Sequence, residues 1–162
     1  HKSSHSFPTR RSSDLFFSGG SGSPLHIFVH GGYWRRFSAR DFSFVAGGLL
    51  QEKVSVAVVN YALCPTVTID EITRQVRAAV AWCHANAAAL DCDQARLTIS
   101  GHSAGGHLTA MALTTDWERD YGLPADILKG AMPISGLFDL APFPSPWTAR
   151  VRRRDLGGRQ AR

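Results

Sequence analysis

One stretch limits the folds open to this chain more than any other. It runs Leu97-Thr98-Ile99-Ser100, then Gly101-His102-Ser103-Ala104-Gly105-Gly106, then His107-Leu108-Thr109-Ala110-Met111-Ala112-Leu113. The first run is apolar and β-branched and reads as a strand; the last reads as a helix. A chain that turns sharply from strand to helix forces the middle residue into a strained conformation. Glycines two before and two after it leave room for the crossing. G-x-S-x-G in that context predicts a nucleophile elbow. It lifts Ser103 clear of the sheet, with a helix N-terminus behind it and the N–H of Ala104 pointing where a negative oxygen can develop. Alone, the five-residue pattern fits a Gly/Ser turn without chemistry just as well.

A second segment lies some 70 residues earlier. Leu25-His26-Ile27-Phe28-Val29 reads as a buried strand and ends in His30-Gly31-Gly32-Tyr33-Trp34. Two glycines directly after a strand allow a loop whose N–H groups face inward. Between the two segments, Ser38-Ala39-Arg40-Asp41 begins a helix with Phe42, Val45, Leu49 and Leu50 at helical spacing. Val54–Tyr61 reads as a near-continuous apolar strand, suited to a parallel sheet covered on both faces. Asp70 is the expected N-cap of a helix whose stripe is Ile69, Ile72, Val76, Ala79, Val80 and Cys83, with Arg74 and Arg77 on its solvated side. Residues 117–129 read as irregular, and Gly130–Ser135 as a further strand in spite of Pro133. Strands alternating with helices predict a mostly parallel α/β sheet with helices on both faces.

Composition bounds the partners. Hydrophobic residues make up 44% of the 162, enough for one domain with a core. The net charge of +5 belongs to the ends: residues 1–15 carry +2 and 145–162 carry +5, leaving 16–144 at −2. A mildly acidic middle argues against a nucleic-acid partner. No run approaches the length of a membrane span, so no membrane partner is expected. Cys64, Cys83 and Cys92 show no C-x-x-C spacing and read as free thiols in a reducing, cytoplasmic compartment. No metal-ligand spacing occurs, and no metal or cofactor is expected.

Residues 6–15 resemble the translation of a DNA-sequencing adapter. The expected organisation is therefore a non-native or disordered leader over 1–24, a domain over 25–144, and a disordered or out-of-frame tail over 145–162.

Three segments together carry a resemblance: His30-Gly31-Gly32-Tyr33-Trp34, Gly101–Leu108, and Ile134-Ser135-Gly136-Leu137-Phe138-Asp139-Leu140. They resemble the α/β-hydrolase superfamily on its esterase/lipase branch, and within it the kynurenine formamidase (arylformamidase) group. The resemblance implies a partial α/β-hydrolase fold with its C-terminal strands missing. It implies Ser103 as nucleophile and the N–H groups of Gly31, Gly32 and Ala104 as oxyanion hole. The substrate would be a small acyl amide or ester: an aryl formamide, or the ester of a general carboxylesterase. His30, Tyr33 and Trp34 would belong to the loop motif or substrate pocket, with Trp34 either flanking an aromatic substrate or packing under the loop. A homodimer is left open for the full-length parent. In this fold the triad acid and base follow the serine, and of the seven histidines only His107 does so, inside the helix leaving the elbow. Asp139 is excluded from the triad. A serine without its base predicts a fragment with little turnover, or a non-catalytic binding module.

Overall fold

The computed structural model describes residues 14–140. Its centre is a pair of parallel strands, β2 (Ser23–Val29) and β4 (Cys92–His102), in register from Leu25 opposite Leu97 to Val29 opposite Gly101. β3 (Ser55–Val59) runs parallel on the other side of β2, and β5 (Gly130–Ile134) runs parallel to β4. A short β1 (Leu15–Phe17) lies antiparallel to β3, giving the order β1-β3-β2-β4-β5. The sheet is thus mostly parallel, as its apolar runs predict.

Two of these strands correct the sequence reading. The expected leader over 1–24 is too long: Leu15–Phe17 pair with Val56–Val58, and Ser23 already opens β2. Period two is hard to see in three residues, so β1 leaves no pattern to read. β4 begins at Cys92 rather than Leu97, because its first half is polar and partly exposed. Pro133 sits within β5, the last strand in the order, where its missing N–H is tolerated.

Alternation along β2 divides the core. Leu25, Ile27 and Val29 face a cluster with Ile72, Val76, Val80 and Leu108, while Phe28 faces a smaller cluster with Val56, Val58, Ala39 and Ala46. The larger cluster is covered by α2 (Ile69–Asn86) and α3 (Ala104–Leu113). The predicted stripe of α2 is the buried one. Its N-cap is Thr68, not Asp70: the Thr68 hydroxyl accepts from the N–H of Glu71, which leaves Asp70 in the first turn. On the opposite face the expected helix over 38–50 is split. A 3-10 stretch covers Ala39–Val45 and α1 covers Ala46–Gln51. The 3-10 start is held outside the helix pattern, since the N–H of Ala39 donates to Asn60 Oδ1 and Ser38 and Asp41 cap each other. Within the stretch read as irregular, Asp116 caps a one-turn helix α4 (Trp117–Tyr121).

The three cysteines are free and buried. No helix among the described residues is long and apolar enough to cross a membrane. Residues 1–13 and 141–162, which include most of the expected leader and the whole expected tail, lie outside the described residues.

Candidate active site

Ser103 stands between β4 and α3 with φ 57° and ψ −117°, a conformation that costs a non-glycine residue energy. It is half-buried. Its N–H donates to the carbonyl of Ile134 at 2.9 Å, so the β4–β5 pairing continues to the bend itself. The flanking glycines have steric reasons. A methyl at Gly101 would run into the backbone of Gly105 and lie 2.7 Å from Thr109 Oγ1. One at Gly105 would strike the carbonyls of Val29 and His30, and one at Gly106 would lie 2.7 Å from the Ile134 carbonyl. The start of α3 is therefore pressed against the ends of three strands, and only glycine admits that approach.

The diglycine loop comes to the same place. A methyl at Gly31 would sit 3.3 Å from Ser103 Cβ and 2.7 Å from the His102 carbonyl. Gly32 has φ +108° and turns the chain so tightly that its carbonyl accepts from both Arg35 and Arg36 at 3.0 Å. Among the described residues, no turn or loop hydrogen bond takes up the N–H of Gly31, Gly32 or Ala104. The loop's carbonyls are the groups that are engaged. Tyr61 Oη–H donates to the His30 carbonyl at 2.8 Å and lies 3.3 Å from that of Gly31. His30 Nδ1–H donates to the Gly31 carbonyl at 2.8 Å. The His30 ring is fully buried, stacked on Tyr61 at 4.2 Å, and burial holds its imidazole below the ordinary value. The Gly31 carbonyl and the Tyr61 ring thus hold His30 within the loop.

Trp34 corrects one alternative. It is fully buried beneath the loop with its ring edge-on to His107 at 5.4 Å, which makes it a packing residue and removes it as a wall for substrate. Tyr33 behaves oppositely and is 56% exposed. His107 is buried in α3 with its imidazole held below the ordinary value by burial. His102 is exposed at the end of β4. Among the described residues no hydrogen bond joins a histidine to Ser103 Oγ, and no group of three or more His, Cys, Asp or Glu gathers as a metal site. Asp139 is exposed near the end of the described chain.

Sequence reasoning missed two features. Tyr61 enters only as the end of a strand, because a strand-end tyrosine does not announce that its hydroxyl reaches a loop 30 residues back. His26 hides in an apolar strand, yet its Nδ1 lies 2.8 Å from Thr98 Oγ1 and its Nε2 2.7 Å from Ser100 Oγ. The signal was the polar residues that recur every second position in β4 beside it.

Comparison with known proteins places this arrangement. The BD-FAE family model matches residues 16–131. The chain belongs to the BD-FAE family. This BD-FAE chain is 38% identical over 129 residues to a kynurenine formamidase of Salmo salar, covering 76% of this chain and 40% of that one. It is 30% identical over 126 residues to esterase LipQ of Mycobacterium tuberculosis, covering 75% of this chain and 30% of the relative. An esterase structure from Pyrobaculum calidifontis superposes with a TM-score of 0.69 at 25% identity, over 86% of this chain and 45% of that one. The fold is that of the α/β hydrolases on the esterase/lipase branch. The chain spans about two fifths of the length of the formamidases it matches.

Proposed function

We propose that this chain carries the nucleophile half of a serine hydrolase that cleaves small acyl amides or esters, with an aryl formamide as the preferred class. Ser103 Oγ attacks the carbonyl carbon. The N–H groups of Gly31, Gly32 and Ala104 hold the oxygen as it becomes negative. As the C–N or C–O bond breaks, the serine proton passes to the departing amine or alcohol. Water then attacks the acyl-enzyme, returning the proton to Ser103 and releasing the acid. The observation that carries the reading is the strained backbone of Ser103, with Gly31 packed against its Cβ. Strain of this kind persists where neighbouring structure over-determines it, and functional sites are where it gathers. The formamidase preference rests on the kynurenine formamidase relatives, and a general carboxylesterase is its alternative.

No described histidine is bonded to Ser103, so acylation by this chain is slow and turnover slower. Losing a triad base costs several orders of magnitude, while donors and binding retain about 10³–10⁴-fold over water. The experiment is labelling by a fluorophosphonate, read by intact mass and peptide mapping. A single adduct on Ser103, absent in Ser103→Ala, supports the reading. No adduct at Ser103 on prolonged exposure refutes it, as does an adduct elsewhere that survives the substitution.

A further inference from the structure

Among the described residues, the exposed aromatic side chains gather in one short segment. Tyr33, Phe37 and Phe44 stand 56%, 54% and 73% exposed, and elsewhere Phe138 alone of the aromatic residues matches them. Their rings form a connected strip. Phe42 lies edge-on to Phe37 at 5.8 Å and stacks on Phe44 at 6.0 Å. It also stacks on Phe28 at 5.9 Å and packs against the smaller core cluster, so the exposed rings are anchored from beneath. Tyr33 and Phe37 share the walls of one hollow with Arg36, which brings Tyr33 to the same side. Both hold left-handed backbone, at φ 52° and φ 71°, a cost that burial does not offset. Charge follows the same segment. Residues 33–44 carry Arg35, Arg36 and Arg40 against Asp41, net +2, while the rest of 16–144 carries −4. Arg35 is engaged within the chain. Asp41 is engaged too, accepting from the N–H and hydroxyl of Ser38 at 2.8 Å each. Arg36 and Arg40 are exposed, and among the described residues neither guanidinium has a hydrogen bond or ion pair. One turn beyond Phe44, Gly47 and Gly48 are exposed with open space around them.

We propose that this strip is an interfacial face that docks reversibly on an anionic lipid surface. The rings of Tyr33, Phe37 and Phe44 enter the boundary between headgroups and acyl chains. Arg36 and Arg40 stay level with the anionic headgroups. The acidic remainder of the domain is repelled by the same surface, which turns the strip toward it. Docking of this kind lies on a membrane without crossing it. The missing span, which argued against a membrane partner, therefore does not bear on it. Three rings and two guanidinium groups make a weak, salt-sensitive attachment. The inference is independent of the hydrolase reading.

The full chain is titrated, by vesicle flotation, with phosphatidylcholine vesicles and with vesicles that also hold about 30% phosphatidylserine. Residues 145–162, with a net charge of +5, attract anionic vesicles by charge alone, so the variants and a local readout must separate strip from tail. Anionic vesicles are expected to bind about tenfold more tightly than neutral ones, and about 0.5 M salt should weaken the difference. Phe44→Ser should weaken binding to anionic vesicles about tenfold, and Arg40→Gln about fivefold. Phe44→Trp should retain it. Leu113→Ser, which removes a side chain 53% exposed at the end of α3, should leave it unchanged. Hydrogen exchange across residues 33–51 should slow when vesicles are added. Circular dichroism checks the fold of each variant, and if Phe44→Ser does not fold, Arg40→Gln and hydrogen exchange still decide. Absent or equal binding to the two vesicles overturns the proposal. So does binding unaltered by Phe44→Ser or by Arg40→Gln, or protection confined to residues 145–162. Self-association abolished by Phe44→Ser, without vesicle binding, also overturns it and assigns the strip to contact between copies.

Discussion

Ser103 and Tyr61 show how single residues divide the work of the candidate site. Ser103 holds φ 57° and ψ −117°, which glycine adopts without penalty. Ser103→Gly is therefore expected to stabilise the fold by about 1 kcal/mol, raising Tm by about 2–4 °C, while abolishing fluorophosphonate labelling. Thermal denaturation followed by circular dichroism checks it; a lower Tm would mean that the hydroxyl is worth more to the fold than the strain costs. Tyr61 makes the complementary case. Its phenol is buried, burial holds its proton firmly in place, and the O–H engages the loop carbonyls. Tyr61→Phe keeps the ring that stacks on His30 and frees those carbonyls to turn. Labelling of Ser103 should slow about tenfold at a stability cost of about 1 kcal/mol. A labelling rate equal to that of the unaltered chain would show that the loop holds its shape without the hydroxyl.

At the scale of elements, β2 carries a charge problem inside an apolar strand. Burial pushes the His26 imidazole down to about 4, and it lowers His30 and His107 as well. A histidine whose folded value lies below its unfolded one binds more protons when unfolded. Its stabilising effect is complete above about pH 6.5 and is lost as pH falls toward 4. Asp14 opposes this, because burial raises it to about 6 and it favours the fold most when protonated. Three histidines against one carboxyl leave a net loss of stability on acidification. Urea midpoints at pH 7 and 4.5 should show it, and His26→Gln, which can still bond Thr98 and Ser100, should reduce the drop by about 2 kcal/mol. An unchanged drop would place the acid sensitivity elsewhere. The same strand shows what the sequence made legible. The elbow, the diglycine loop and the α2 stripe could be read because each depends on neighbours within a few residues: a glycine spacing, a period of 3.6. Tyr61 to His30, His26 to Ser100 and β1 to β3 are pairings over 30 residues or more, chosen by the sheet order, and a local pattern does not encode them. The N-cap shifted from Asp70 to Thr68 for a related reason, since both residues suit the position and the preceding turn decides between them.

Among the described residues, one face of the sheet is unevenly covered. On the side of Phe28, the 3-10 stretch and α1 pack over β1, β3 and β2, and their cluster does not reach β5. There Met132 is 63% exposed and Ile134 39%, opposite Ser100 and His102 of β4. Among the described residues β5 is also hydrogen-bonded along one side alone. An open strand edge beside exposed apolar side chains is a template for pairing with another chain. Sedimentation velocity is expected to show association that grows with concentration. Met132→Lys places a charge on that edge without touching either core cluster, since Met132 belongs to neither. It should shift the distribution toward monomer while leaving Tm within about 2 °C, because a surface substitution of this kind changes stability by about 0.5 kcal/mol or less. Association unaffected by Met132→Lys would locate the sticky surface elsewhere, with the 73% exposed Phe44 as the next position to change.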